Sequence, residues 1–144
     1  MPDLHFAVPG IPVPQGSMVR AKWGVRHSNE NLEPWRDTVT AAAIKAAERA
    51  EWVQALGPVA VSLTFYLPRP KAHYGTGGNA GQLKTSAPHH HAKKPDVDKL
   101  ARAILDALTV AAVWRDDDQV ARLHATKVFA DIRTGVVITV QELP

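Results

Sequence analysis

Apolar and polar residues alternate along several stretches of this chain, and such alternation predicts half-buried β-strands. The most regular stretch spans 59–67, where alternate positions are apolar: Val59, Val61, Leu63, Phe65 and Leu67. Residues 4–8 also alternate, and they end at Pro9-Gly10. Residues 120–130 and 135–141 form two further predicted strands, joined by a turn at 131–134. On the first of these, the residues expected on the apolar side are Val120, Leu123 and Val128.

Two other stretches have helical periodicity. Residues 32–52 are rich in alanine with few breakers, which favours a helix with Asn31 as its cap and Pro34 in its first turn. Trp35 then lies on the apolar face, where core packing is its simplest role. A second helix is predicted at 98–111 from an apolar stripe at i, i+3, i+4 and i+7. The residues of that stripe are Leu100, Ala103, Ile104, Ala107, Leu108 and Ala111.

The order of these elements predicts the fold class. Residues 18–27 form either a short strand pair or a basic loop, between the first strand and the first helix. Strands and helices then follow in an order that favours an α+β domain with a mixed or antiparallel sheet of about four to six strands and two main helices. No internal repeat or linker divides the chain, so we expect residues 1–144 to form a single domain.

Length and composition exclude several classes of protein. A chain of 144 residues can bury a core of its own. No apolar run approaches the ~18 residues needed to cross a bilayer, and the N-terminus lacks a signal-peptide pattern, so we expect no membrane association. With no cysteine, disulfides and thiolate metal sites are excluded, which fits a cytoplasmic location.

The distribution of charge is more informative than its sum. The net charge of +3 and the pI near 9.4 permit nucleic-acid binding without arguing for it. Between Trp52 and Pro95, however, the chain has no acidic residue, and residues 68–95 resemble a long basic loop. Such a loop either contacts phosphates or is a solvated surface segment. Its position directly before an acidic cluster favours DNA phosphates, with the following candidate contacts: Arg69, Lys71, Lys84, Lys93, Lys94 and Lys99.

Carboxylates are concentrated at 96–98 and at 116–118. Asp96 and Asp98 flank Val97 at the start of the second predicted helix, so both side chains can approach one ion. Gathered carboxylates repel each other, and a hard cation such as Mg²⁺, which prefers oxygen ligands, removes that repulsion. Two ordinary interpretations remain open, since one of the two Asp can be a helix N-cap and Asp116 to Asp118 can be a solvated loop.

Three neighbouring features have weaker interpretations. Arg102 follows Asp98 by four residues and can pair with it or face a substrate phosphate. Asp106 lies two helical turns from Asp98, so we interpret it as solvated or locally paired. The run His89 to His91 lacks partners at zinc-site spacing and is more simply a loop segment near phosphate or an incidental run. No phosphate-binding or dinucleotide motif is present, and we expect no organic cofactor.

The acidic segments resemble one known family. Residues 96–108 and 114–120 are similar to the pattern D-x-D-N-L-x-K-x-x-x-D-A-L, followed by D-D-x-Q-V, of the RusA family of Holliday junction resolvases. The Pro-Val-Pro-Gln-Gly segment at 12–16 also resembles that family. The resemblance implies a homodimeric endonuclease, commonly encoded by phages and prophages, that uses Mg²⁺ (with Mn²⁺ as a possible substitute) to nick branched DNA such as a four-way junction.

The resemblance also implies roles for particular residues. Asp96, Asp98 and Asp117 correspond to the metal-binding carboxylates, and Arg102 takes the place of the family's catalytic lysine. Lys99 stands where the family has asparagine. Arginine keeps a positive charge near the scissile phosphate, but it stays protonated at any working pH and cannot transfer a proton.

Three functions are therefore compatible with the sequence. The first is a Mg²⁺-dependent endonuclease selective for branched DNA. The second is a DNA-binding protein with a degenerate, non-catalytic site, and the third is a metal-dependent nucleotide phosphohydrolase.

Overall fold

The residues that the structure describes form six strands, two α-helices and three short 3₁₀ turns. The computed structural model describes the backbone of residues 3–16, 18–21, 24–27 and 29–144, and the side chains of residues 3–16 and 29–144. The strands and helices in chain order are β1 (Leu4–Pro9), β2 (Met18–Ala21), β3 (Gly24–His27), α1 (Leu32–Ala50), β4 (Val59–Leu67), α2 (Val97–Val110), β5 (Val120–Phe129) and β6 (Gly135–Glu142).

Four of the strands form one mixed sheet in the order β1-β6-β4-β5. β4 pairs with β5 in parallel and with β6 antiparallel, and β1 pairs antiparallel with β6. The predicted α+β fold with a mixed sheet and two main helices is confirmed. β2 and β3 pair with each other, so the strand-pair alternative for 18–27 is correct. The basic residues of that stretch, Lys22 and the side chains of Arg20 and Arg26, lie outside the described residues.

The core lies between one face of this sheet and the two helices. The five alternate apolar residues of β4 are all buried, and so are five of the six predicted stripe residues of α2, Ala111 being half-buried. Trp35 of α1 is 5% exposed, which confirms its role in packing. Burial of each large apolar side chain contributes roughly 1.5–3 kcal/mol, so this interface dominates the stability of the fold.

The ends of α1 differ slightly from the prediction. The helix ends at Ala50 rather than Trp52 because Glu51 adopts a left-handed conformation with φ 53°. Asn31 occupies the N-cap position, but its side chain makes no capping hydrogen bond. Its backbone N–H instead donates to Oδ1 of Asn29 at 3.0 Å. No helix in the described part of the chain is both long and apolar enough to span a membrane.

β5 is the element whose environment the sequence predicted least well. The predicted turn at 131–134 connects β5 to β6, but the two strands are not neighbours, because β4 lies between them. β5 is an edge strand, and Leu123, expected on the apolar side, is 46% exposed. Val120 and Val128 are only half-buried, and the buried residue of this strand is Phe129.

The path from β4 to β5 positions the chemically interesting residues. Parallel strands need a crossover connection, and here it consists of the basic loop 68–95 followed by α2. Since Leu67 and Phe129 are register partners, the loop leaves β4 beside the C-terminal end of β5. Asp96 precedes α2 near that end, whereas Asp117 lies just before the N-terminal residue of β5.

Gly135 provides a test of the β1–β6 pairing. Its φ is +155°, and a Cβ added there would lie 2.3 Å from the backbone oxygen of Val8. We expect Gly135→Ala to lower the free energy of unfolding by more than about 1 kcal/mol in urea denaturation. Gly81, at which a Cβ would meet nothing within 4 Å, gives the matched control Gly81→Ala. Equal stability of the two variants would contradict this account of the sheet.

Candidate active site

The first pair of carboxylates lies at the N-terminus of α2. Asp96 is the N-cap residue with extended backbone (φ −69°, ψ 138°), and its carbonyl oxygen accepts the N–H of Leu100 at 3.1 Å. Its carboxylate forms no capping hydrogen bond; Oδ2 lies 3.3 Å from Nζ of Lys99. Asp98 lies in the first turn, and both side chains are exposed. The N-cap interpretation therefore holds for the backbone position of Asp96 but not for its carboxylate.

In the second group of carboxylates, at 116–118, one side chain caps a short turn. Oδ1 of Asp116 accepts the N–H of Asp118 at 3.2 Å, and Oε1 of Gln119 accepts the N–H of Asp116 at 3.0 Å. This reciprocal arrangement is a capping box for the short 3₁₀ turn Asp117–Gln119. Gln119 also donates through Nε2 to the carbonyl oxygens of Ala55 and Gly57. Asp116 is therefore used as a cap.

Asp117 lies in a field of like charge. Partial burial, a hydrogen bond with Asp116 and the negative charges of Asp116, Asp106 and Asp118 raise the pKa of its carboxyl above the ordinary value. Repulsion of this kind is what a bound cation would offset, since a divalent ion favours the charged form of each ligand. The like charge around Asp117 is thus a feature that a bound cation would relieve.

Asp106 is locally paired, as the sequence indicated. Its Oδ2 accepts a hydrogen bond from Nε2 of Gln15 at 2.5 Å and lies 4.0 Å from a guanidinium nitrogen of Arg36. Gln15 is buried, and its backbone N–H donates to the carbonyl oxygen of Lys99 at 3.0 Å. Sequence reasoning missed Gln15, although the Pro-Val-Pro-Gln-Gly segment had been noted as similar to the RusA family.

The structure does not gather the three predicted metal ligands within one chain. Asp98 and Asp106 are eight residues apart on α2, about 12 Å along the axis. The acid on α2 that acts on Asp117 is Asp106. Among the residues whose side chains are described, no three His, Asp or Glu are placed to hold one metal ion. The ligand set of Asp96, Asp98 and Asp117 therefore stays a prediction.

Arg102 lies one turn beyond Asp98 on the exposed side of α2. The spacing of Arg102 from Asp98 allows a salt bridge between them, but the described residues do not form it. Its guanidinium is thus accessible to a ligand on the same face of the helix that carries Asp98.

The basic loop is fixed to the sheet around Phe129. The guanidinium carbon of Arg69 lies 4.1 Å from the centre of the Phe129 ring, and the ring centres of His91 and His73 lie 4.6 and 5.3 Å from it. Nη1 of Arg69 also donates to the carbonyl oxygen of Pro88 at 2.9 Å. Arg69 therefore has a structural role in addition to any contact with DNA. His91 is buried, so this part of the histidine run is a packing element.

Other cations of the loop lie nearby. Burial and the positive charges of Arg69, Lys93 and Lys84 lower the pKa of His73. These three predicted DNA contacts thus act on one region of the surface. Lys71 and Lys94 are exposed as well, and Lys99 is the residue paired with Asp96. Their binding to DNA remains a prediction.

A cation outside the predicted set lies at the same end of the sheet. Nζ of Lys127, in β5, donates to the carbonyl oxygens of Lys93 and Pro95 at 2.6 and 2.8 Å. No sequence signal indicated this contact, because the two partners are backbone atoms more than 30 residues away.

An open cleft of about 1030 Å³ borders Asp96, the first residue of this carboxylate pair. It lies between the segment 12–16, the start of α1 and the start of α2. Lys94, Asp96 and Lys99 line its side towards α2, so acidic and basic groups border the same space.

Comparison with known proteins identifies the family of the chain. A family model described as Endodeoxyribonuclease RusA matches residues 9–141, nearly the whole chain. That range includes both groups of carboxylates, the basic loop and all of α2. No curated protein matches the chain.

The packing around Phe129 predicts a pH-dependent stability. Burial and the charge of Lys127 lower the pKa of His91 from 6.5, and the pKa of His73 is lowered too. The unfolded chain then takes up protons near pH 6.5 that the folded chain refuses, so stability is present above that pH and is lost as the pH falls through it. We expect the melting temperature to fall between about pH 7.5 and about pH 5.5.

The contribution of His91 is measured by substitution. His91→Gln cannot titrate, so its melting temperature should change less with pH than that of the wild type. His124→Gln removes an exposed histidine of β5 and serves as the control. A pH dependence that His91→Gln leaves unchanged would contradict the assignment.

Proposed function

This chain belongs to the RusA family of endodeoxyribonucleases, and from this premise we propose that it is a Mg²⁺-dependent nuclease that resolves four-way DNA junctions by paired nicks. The observation that carries the proposal is the composition of one end of α2. There Asp96 and Asp98 expose carboxylates that no capping bond uses, and Lys94 and Lys99 border the adjacent cleft.

The residues fit a hard divalent cation. Asp96, Asp98 and Asp117 offer carboxylate oxygens, the ligand type that Mg²⁺ prefers. Like-charge repulsion at Asp117 supports the same assignment. When bound, such an ion supplies Lewis acidity that lowers the pKa of a water and orients it for in-line attack on phosphorus.

The other side chains would act through charge. Arg102 offsets negative charge that accumulates on the phosphate oxygens, but it provides no proton, since guanidinium does not titrate in this range. The cations of the basic loop hold the DNA backbone, which gives salt-sensitive binding with little sequence information.

Two copies of the chain would complete the ligand set. Asp96 follows Pro95, whose carbonyl oxygen contacts Lys127, and Asp117 lies shortly before Val120. Lys127 and Val120 are seven residues apart in β5, roughly 23 Å at strand spacing. Asp96 and Asp117 therefore lie towards opposite ends of this strand. β5 is at the edge of the sheet, and its N-terminal half is exposed. Antiparallel pairing of two such edges would place Asp117 of one copy near Asp96 and Asp98 of the other. A symmetric dimer with two sites also suits a junction with two-fold symmetry.

The activity is tested with a synthetic four-way junction and a linear duplex, with Mg²⁺ or EDTA. We expect paired nicks in the junction, with Mg²⁺ only. Since even outer partners of a metal cost about 10–100-fold when removed, loss of a ligand in Asp98→Asn should lower the rate by more than about 100-fold. Asp131→Asn, an exposed aspartate in the β5–β6 connection, is the matched control.

The outcomes separate the three candidate functions. Junction binding in EDTA without any nicking in Mg²⁺ would support a non-catalytic binding protein. Hydrolysis of nucleotides in place of the junction would support a phosphohydrolase. Equal cleavage of linear duplex would remove the selectivity for junctions.

Mixing two inactive variants tests the shared site. If Asp117 acts in the second copy, a dimer of Asp98→Asn with Asp117→Asn has one site with both substitutions and one site with neither. Co-expression with two affinity tags should therefore restore single nicks to the mixed dimer. If all ligands come from one chain, each site carries one substitution, and the mixed dimer should stay as inactive as its parents.

A further inference from the structure

Lys127 makes a contact that its place in a strand does not explain. Lys127 is register partner of Phe65 in β4, and its side chain is half-buried. The ammonium bridges two carbonyl oxygens two residues apart, those of Lys93 and Pro95. Distances of 2.6 and 2.8 Å are those of strong charge-assisted hydrogen bonds.

The ammonium has no acidic partner among the described residues, whose salt bridges do not include Lys127. A partly buried charge costs free energy unless nearby groups offset that cost. The two carbonyl dipoles offset part of this cost. The positive charge still acts on His91, whose pKa is lowered by burial and by Lys127. Folding alone could satisfy two loop carbonyls with water, so a charged side chain at this point suggests a further role.

The bridged backbone is directly joined to the first pair of carboxylates. Residues 93–95 belong to no helix or strand, and the next residue, Asp96, is the N-cap of α2. The carboxylate of Asp96 makes no capping bond with the helix, and its exposed pair with Lys99 holds it only weakly. Its direction depends on the backbone before it, which Lys127 ties to the sheet.

We propose that Lys127 is a positioning residue, whose ammonium holds the backbone at 93–95 so that Asp96 and Asp98 face one divalent cation. This inference rests on the proposed function. Lys127 then acts through the carboxylates and contacts neither the DNA nor the reacting phosphate.

The test measures metal uptake directly, in addition to cleavage. Binding of Mn²⁺ to the full chain is followed by calorimetry or by the relaxation of water protons, without DNA. Lys127→Met keeps the length of the side chain and removes its donors, so we expect the Mn²⁺ dissociation constant to rise about 10-fold or more. Lys127→Arg retains donors for both carbonyls and should bind Mn²⁺ nearly as the wild type does.

Two controls separate positioning from general effects. Lys45→Met removes one positive charge from an exposed position of α1, away from the β5 edge, and Val39→Ala destabilises the core at a buried site on the same helix. Neither should change the affinity for Mn²⁺. In cleavage assays, the loss in Lys127→Met should be largest at low Mg²⁺ and should shrink as Mg²⁺ approaches saturation.

Each result supports or overturns the assignment. Weaker Mn²⁺ binding in Lys127→Met, with rescue by Lys127→Arg and neutral controls, supports it. Unchanged Mn²⁺ binding in Lys127→Met overturns it, even if cleavage falls. Weaker junction affinity with a smaller salt dependence and unchanged Mn²⁺ binding also overturns it, because Lys127 would then be a phosphate contact. Absence of Mn²⁺ binding by the wild type would overturn the proposed metal site as well.

Discussion

The parallel pairing of β4 with β5 is the constraint on which the site depends. Parallel neighbours cannot be joined by a tight turn, so the chain has to return over the sheet through the basic loop and α2. That return brings the loop to the C-terminal ends of both strands, where Phe129 and Lys127 fix it. It also separates the two groups of carboxylates, since one precedes α2 and the other follows it.

Local sequence patterns predicted burial correctly where burial depends only on the strand or helix that contains the residue. The alternation in 59–67 and the stripe on α2 predicted buried faces, because one helix or sheet face must meet the core. β5 defeated the same reasoning, since its burial depends on which strand lies beside it. As an edge strand it exposes Leu123, a residue that the pattern assigned to the apolar side.

The site was predicted in its parts but not in its assembly. Spacing along the chain identified Asp96 and Asp98 as neighbours, and they lie at one helix terminus. The role of Asp116 as a cap, which distinguishes it from Asp117 and Asp118, could not be predicted because it depends on a capping box closed by Gln119. Likewise, the anchoring of the loop by Lys127 involves backbone carbonyls, which have the same chemistry in every residue and leave no sequence pattern.

The two departures from the family pattern have different physical consequences. Lys99 stands in place of asparagine and pairs with Asp96 at 3.3 Å, with about half of each side chain exposed. An exposed pair of this kind contributes about 0–1 kcal/mol, less than a divalent cation gains from the same carboxylate, so it does not block a metal. Arg102 is more consequential, because guanidinium cannot exchange a proton. In the proposed mechanism, Arg102 would therefore act through its positive charge and not as a proton donor or acceptor.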